Sequence, residues 1–396
     1  MKPINMVDVG MDGKNTTFLL DEWERDFLSA VMTVMFVAGT TGNVMVLLAV
    51  ALSRKLQTST NTFVVSLSVS DLLASLVQPL QVAGMLGKDG WPLPDIVCKI
   101  VAGVAITCVS CSVITISMIG VNRFVLITRS KEAYQRAFST KFLAAMIIFS
   151  WMYPIVTLVL PQVSGRHGRL GYDPSTRLCI WDFAHPSAKI YVDLAAVLVG
   201  FRPASYDAIY DVERSLCSWR FLHTYVLRRT TLGENPLMSL TTFNLTLFSY
   251  LLIFRHVRNS ALITRSKSSV ISRRPSAVVS RKRYRKQIEL VITRNLLYVI
   301  CGFFCCVIPY TGLFLALPFL EGTLLRLGLH ISSYAAVLLV LDSCLNPVIY
   351  AWKHPHFKYV FGCMVRCRWQ DIPEPSKYLA RILRQGGHTV KSSITS

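Results

Sequence analysis

Charge is scarce in this chain, and acidic charge scarcer still. Only 16% of its 396 residues are charged, 42 basic against 22 acidic, where soluble proteins carry about 25%. With 52% hydrophobic residues and a mean hydropathy of +0.45, this composition excludes an ordinary water-soluble domain. Catalytic signatures are missing too. No HExxH, no GxSxG within an apolar run and no paired catalytic aspartates occur, which argues against an intramembrane enzyme. No internal repeat of the kind that builds transporters is found. Residues 1–26 are polar, with six acidic and three basic residues and no apolar core of a cleavable signal peptide.

What the chain does have is long apolar runs. Crossing a bilayer takes about 20 such residues per helix. Runs of that length cover 27–52, 60–86, 96–128, 142–163, 287–317 and 324–352, with an interrupted fifth between the fourth and sixth. The expected fold is therefore an all-α membrane protein, a seven-helix bundle over 27–352. A short amphipathic surface helix is expected at 353–369 and a tail at 370–396. The basic charge is concentrated: 255–286 holds eleven Lys/Arg and no acid, and the chain from Ala351 holds eight basic and two acidic residues. Basic loops stay cytosolic, so the N-terminus is expected outside and the C-terminus inside a cell membrane. These runs flank spans, so anionic lipid is a better partner for them than nucleic acid.

Asn15-Thr16-Thr17 is a glycosylation sequon on the outer side; Asn244-Leu245-Thr246 also matches but sits in an apolar run. Six of the eleven cysteines lie inside spans. Cys98 and Cys179 fall on the oxidising face, where a bridge between them would pin the loop over the bundle. Cys363 and Cys367 follow the seventh span, where palmitoylation and unmodified thiols are equally open readings. Cys217 has no obvious partner. Ser276, after Arg273-Arg274-Pro275, is a candidate phosphorylation site for a basophilic kinase.

Each span carries a landmark, and their order resembles the rhodopsin-like (class A) G-protein-coupled receptors. They are Gly42-Asn43-Val44, Leu67 to Asp71, Cys98, Asn122-Arg123-Phe124, Trp151, Tyr250, Phe303 with Cys306-Val307-Ile308-Pro309, and Asn346-Pro347-Val348-Ile349-Tyr350. A narrower resemblance, to the melatonin-receptor branch and its invertebrate relatives, rests on Arg54-Lys55-Leu56, 61–67, Gly90-Trp91, the Asn-Arg-Phe triplet and Gly171-Tyr172-Asp173-Pro174. The resemblance implies a receptor for an extracellular small ligand that activates a heterotrimeric G protein, of the inhibitory class. Arrestin and receptor kinases follow as partners, and no cofactor is required.

The family pattern supplies a switch. Arg123 is a permanently charged five-donor fork, and the acid usual beside it is replaced by Asn122. Its acceptor is then expected from Glu289, 20 residues before Pro309; Glu289 standing solvated on a basic face is the other reading. Breaking such a latch opens a pocket for a partner helix. Pro309 kinks the sixth span beside Phe303, and Val307 stands where the family has a tryptophan. Tyr250 and Tyr350 are expected to join Arg123 through water in the open state.

Asp71, Ser112 and Asn346 match the family's sodium site, and oxygen ligands suit a hard cation. Asp342, four residues before Asn346, is a departure, since asparagine is common there. Two carboxylates at one cavity resist double ionisation without a cation or proton between them; Asp342 facing other polar groups is the alternative. In the ligand region Ala105 stands where amine receptors place aspartate, which argues against an amine. No lysine lies in 324–352, so a retinal Schiff base is excluded. Gln162 replaces the melatonin receptors' asparagine, and Phe183 or His185 falls near their glutamine beyond the loop cysteine, which argues against melatonin. A small, largely apolar ligand, or a lipid-like one, is expected against Ala105, Thr107, Val109, Gln162, Trp181 and Tyr310. A transporter or channel using Asp71 and Asp342 as an ion path is the second functional class.

The fifth span is anomalous. Residues 189–200 begin an apolar helix, 201–240 carry nine charges, and 241–254 resume the apolar run. A true long loop, an alternative isoform and an unremoved intron are all open readings of 201–240.

Overall fold

The computed structural model describes residues 20–160, 170–174, 176–181, 298–299, 301–313, 316, 320 and 322–392. Among them five helices are long and apolar enough to cross a membrane, and a sixth, shorter apolar helix covers Cys301–Leu313.

The first helix, α1, runs Glu22–Leu52, five residues earlier than the apolar run. Its start is polar because it is capped: the Glu24 carboxylate accepts from the Asp21 backbone N–H at 2.9 Å. The second span is broken in two, α2 over Ser59–Leu76 and α3 over Gln78–Leu86. Pro79 lies in the first turn of α3, where a missing N–H costs no helix bond. Helix α4 covers Asp95–Thr128, a short α5 covers Lys131–Ala137, and α6 covers Thr140–Pro154 before continuing as a π turn over Ile155–Val159. The apolar helix Cys301–Leu313 is α7, and α8 spans Gly322–Lys353.

Helix α4 is the hub. It packs on α2, α6 and the hairpin made by β1 (Leu170–Asp173) and β2 (Leu178–Trp181). The two strands are antiparallel, with Tyr172 opposite Cys179. Helix α1 closes against α2 and α8. Glycine allows that closeness: a Cβ on Gly42 would stand 2.8 Å from the Pro347 ring, and one on Gly39 would run into the Ser75 hydroxyl. Large apolar side chains such as Val34, Ile100, Ile148 and Val348 face outward. In water such a surface would aggregate; against hydrocarbon it is the expected one.

The surface helix α9 is shorter than 353–369, covering Pro355–Val365. It stops because Cys367 takes a left-handed φ of 53°. The Arg368 N–H then reaches the Cys363 carbonyl at 2.8 Å and the Cys367 N–H reaches Met364 at 3.1 Å, a Schellman closure. The region read as a tail contains a further helix, α10, over Lys377–Ser392. The Ser376 hydroxyl caps it, accepting from the Leu379 N–H at 3.2 Å.

Candidate functional site

Three polar clusters lie along the bundle axis. At one end, Asn122 is fully buried and Arg123 is 7% exposed. Asn122 Oδ1 accepts from the Thr60 hydroxyl at 2.7 Å, and its Nδ2 donates to the Tyr134 hydroxyl at 3.1 Å. The neutral amide thus ties α4 to α2 and α5 with one acceptor and one donor. A carboxylate would supply acceptors alone. Phe124 is half-buried beside it. Tyr350 is buried and stacks on Phe357 of α9, with centroids 5.4 Å apart. His354 caps α9, its Nδ1 accepting from the Phe357 N–H at 3.4 Å. Burial, then the nearby Arg123 charge and His356, push the His354 imidazole down to about 3. It stays neutral beside the arginine.

The middle cluster surrounds Asp71, which is 1% exposed. Its Oδ1 accepts from Ser112 at 3.2 Å and its Oδ2 from the Asn346 amide at 2.8 Å. Ser112 also meets Ser70 at 2.9 Å. Asp71, Ser112 and Asp342 line one small cavity together with Val109, Phe303 and Val307. Asp342 is buried, and its Oδ1 has no hydrogen-bond partner among the described residues. Asn43 fastens the same level, donating to the Gly39 and Ser343 carbonyls at 2.9 Å each. Val109, read as a ligand contact, therefore sits on the wall of the acidic cavity. Phe303 and Val307 bring α7 to that wall, with Pro309 half-buried two residues further on.

At the other end the hairpin covers the bundle. Cys98 and Cys179 are joined by a disulfide. The Gln81 side chain grips Cys179 twice, accepting from its N–H at 2.8 Å and donating to its carbonyl at 2.9 Å. Tyr172 donates to the Gly84 carbonyl at 3.1 Å and Arg177 to the Gly87 carbonyl at 2.8 Å. Sequence reading missed a further cluster here. The Glu24 carboxylate accepts from the Tyr334 hydroxyl at 2.6 Å and meets His330 Nε2 at 3.0 Å, joining α1 to α8.

Ala105 and Tyr310 are half-buried and Thr107 is buried; Trp181 lies in β2. Of the two tail cysteines, Cys367 is exposed, whereas the Cys363 thiol is buried in the core. Asn15, Gln162, Tyr250, Asn244, Cys217, Ser276, Glu289 and the segment 201–240 lie outside the described residues.

A buried arginine at one end, an acid in mid-bundle, a proline-bearing α8 and a disulfide-pinned hairpin define a helical membrane receptor. The sequence matches the family described as "7 transmembrane receptor (rhodopsin family)" over residues 42–206 and 190–350. The chain belongs to this family. Its relatives include the G-protein coupled receptor moody of Drosophila melanogaster, 26% identical over 86% of this chain. This chain spans about half the length of moody, 51%. The human 5-hydroxytryptamine receptors 1E and 1F are 26% and 27% identical, over 87% and 86% of this chain and 94% and 93% of theirs. These relatives are receptors rather than enzymes. The crystal structure of squid rhodopsin aligns with a TM-score of 0.60 at 17% identity, covering 93% of this chain and 95% of that one, a likeness of fold alone. The fold is that of a multi-pass seven-helix receptor.

Proposed function

We propose that the protein carries a signal from a small, largely apolar extracellular ligand to a heterotrimeric G protein, of the inhibitory class. The observation that carries this reading is the Arg123 cluster. A permanent cation is held almost out of solvent at the end of α4, flanked by Asn122 and close to the junction of α8 and α9. A buried charge without a switching role is costly to keep. Glu289 is the proposed latch partner of Arg123, and Tyr250 and Tyr350 its partners in the open state. On this reading the coupling face lies on the cytosolic side with the C-terminus, and the hairpin and N-terminus lie outside. Arrestin and receptor kinases are proposed to use the same face.

Two relatives bear the name of 5-hydroxytryptamine, an amine. Ala105 offers no carboxylate to a protonated amine, so the proposed ligand is not one. The melatonin-like branch remains our finer placement, on the segments 54–56, 61–67 and 171–174, with Gln162 arguing against melatonin itself.

The middle cavity is proposed to hold a sodium ion. The donor set fits: carboxylate oxygens from Asp71 and Asp342, the Ser112 hydroxyl and the Asn346 side-chain oxygen, all hard ligands. Oδ1 of Asp342 and Oδ1 of Asn346, which have no hydrogen-bond partner among the described residues, are the atoms a cation would satisfy. When bound, the ion would neutralise charge that two facing carboxylates otherwise share.

The test is nucleotide exchange on a panel of purified G proteins by the receptor in lipid discs. Acceleration of an inhibitory-class protein, basal or ligand-driven, is expected. Absence of coupling across every class would overturn the proposal. A ligand-dependent ion flux without coupling would favour a channel.

A further inference from the structure

The chain beyond α9 does not leave the bundle. The backbone at Pro375 pairs with Ser53 as an antiparallel bridge. The Arg54 N–H donates to the Glu374 carbonyl at 2.8 Å and the Ser376 N–H to the Leu52 carbonyl at 2.8 Å. The Ser53 hydroxyl donates to the Pro373 carbonyl at 2.7 Å. Helix α10 therefore begins level with the end of α1, where that span passes from apolar to polar.

Its side chains sort by face. Leu379 is buried and Leu383 half-buried against the core. One row over, Tyr378 and Ile382 are 68% and 44% exposed. Lys377, Arg381 and Arg384 are exposed on the opposite side, and 377–392 contains no acid. Positions four apart share a row on a helix, so the protein covers only half of the apolar arc. The uncovered half faces away from the core beneath a basic rim. Aromatic and apolar side chains on α8 and α9, Trp352, Tyr359 and Val365, are exposed as well, as expected of a surface at a membrane interface.

We propose that α10 is a second membrane-surface helix, clipped to the loop 53–56, whose occupant is the anionic leaflet: Tyr378 and Ile382 enter the acyl boundary, and Lys377, Arg381 and Arg384 engage acidic phospholipid headgroups. The charge decides for lipid. A cationic amphipathic helix held at that depth gains from both apolar burial and the negative surface potential. The inference rests on the membrane-receptor fold and needs neither coupling nor a particular orientation.

The experiment is hydrogen–deuterium exchange of the full-length receptor in lipid discs of phosphatidylcholine alone and of phosphatidylcholine with phosphatidylserine. Discs present both leaflets, so the result is independent of which side is cytosolic and of any G protein. The amides of 377–385 are expected to exchange about tenfold slower or more with the acidic lipid. Raised salt should reverse that slowing in the unmodified protein, and K377E/R381E/R384E should abolish it. Ile382→Ser should speed exchange in both discs. Equal exchange in the two lipids, or slowing indifferent to salt, overturns the proposal. So does slowing that appears only when a soluble cytosolic protein is added.

Discussion

At the scale of single residues, Asn122 is the most informative departure from the family pattern. It satisfies Thr60 with its oxygen and Tyr134 with its amide. Asn122→Leu strands both hydroxyls, and a buried unsatisfied polar group costs about 1–3 kcal/mol. The expected outcome is a lower melting temperature of the purified receptor, with Asn122→Asp falling between the two because it keeps the acceptor. His354 predicts a pH effect. Its folded-state value of about 3 lies below its ordinary 6.5. The unfolded chain therefore binds a proton that the native protein refuses, and stability falls as pH drops through that window. At pH 5 the loss is about 2 kcal/mol. His354→Asn supplies a capping oxygen in place of the imidazole nitrogen and does not titrate; thermal melts from pH 7 to 5 should be flatter for it than for the native receptor. Asp71 and Asp342 predict a sodium effect. Basal nucleotide exchange should fall as sodium rises, and D71N and D342N should each weaken that response. A response that D342N leaves intact would confine the site to Asp71.

At the scale of elements, the hairpin is held by more than its disulfide. Gln81 closes two hydrogen bonds on Cys179, and Gln81→Ala removes both while leaving Cys98–Cys179 in place. Faster deuterium exchange over 170–181 is expected, with a stability loss of about 1–3 kcal/mol. The spans were the most legible part of the sequence, because an apolar run of bilayer length admits few alternatives. Their ends were less so. Helix α1 starts in a polar stretch on the strength of Glu24, and Pro79 breaks the second span where hydropathy reads straight through. Helix α10 was legible in principle, from Ser376 and the pairs Tyr378–Ile382 and Leu379–Leu383, but a basic stretch lowers mean hydropathy and hides the pattern. Contacts between distant residues carried no local signal. Glu24 meets His330 across 306 positions, and nothing in either neighbourhood marks the pairing. Asp71, Ser112 and Asn346 were read together only because the family resemblance joins them.

For the whole molecule, the fifth span carries the prediction. Joining 189–200 to 241–256 gives 28 residues, about 42 Å of helix at 1.5 Å per residue, enough for the roughly 30 Å hydrocarbon core. The nine charges of 201–240 cannot lie in lipid cheaply. A receptor lacking 201–240 is expected to reach the cell surface at least as well as the full chain and to exchange nucleotide as fast. Poorer surface delivery or exchange by the shortened receptor would make the segment an integral loop, and transcript reads across the Gly200 codon would show whether it is always present.

The bridge between Ser53 and Pro375 also has a meaning in time. The groups around Ser53 that it satisfies leave the ribosome early, and their partners come some 320 residues later. At about 5–20 residues per second that delay is roughly 16 to 64 seconds. Throughout it the Leu52 carbonyl, the Ser53 hydroxyl and the Arg54 amide lack the partners they have in the folded protein. A chain that stops before Pro373 never closes them. The clip therefore closes only once the chain has been translated through Ser376.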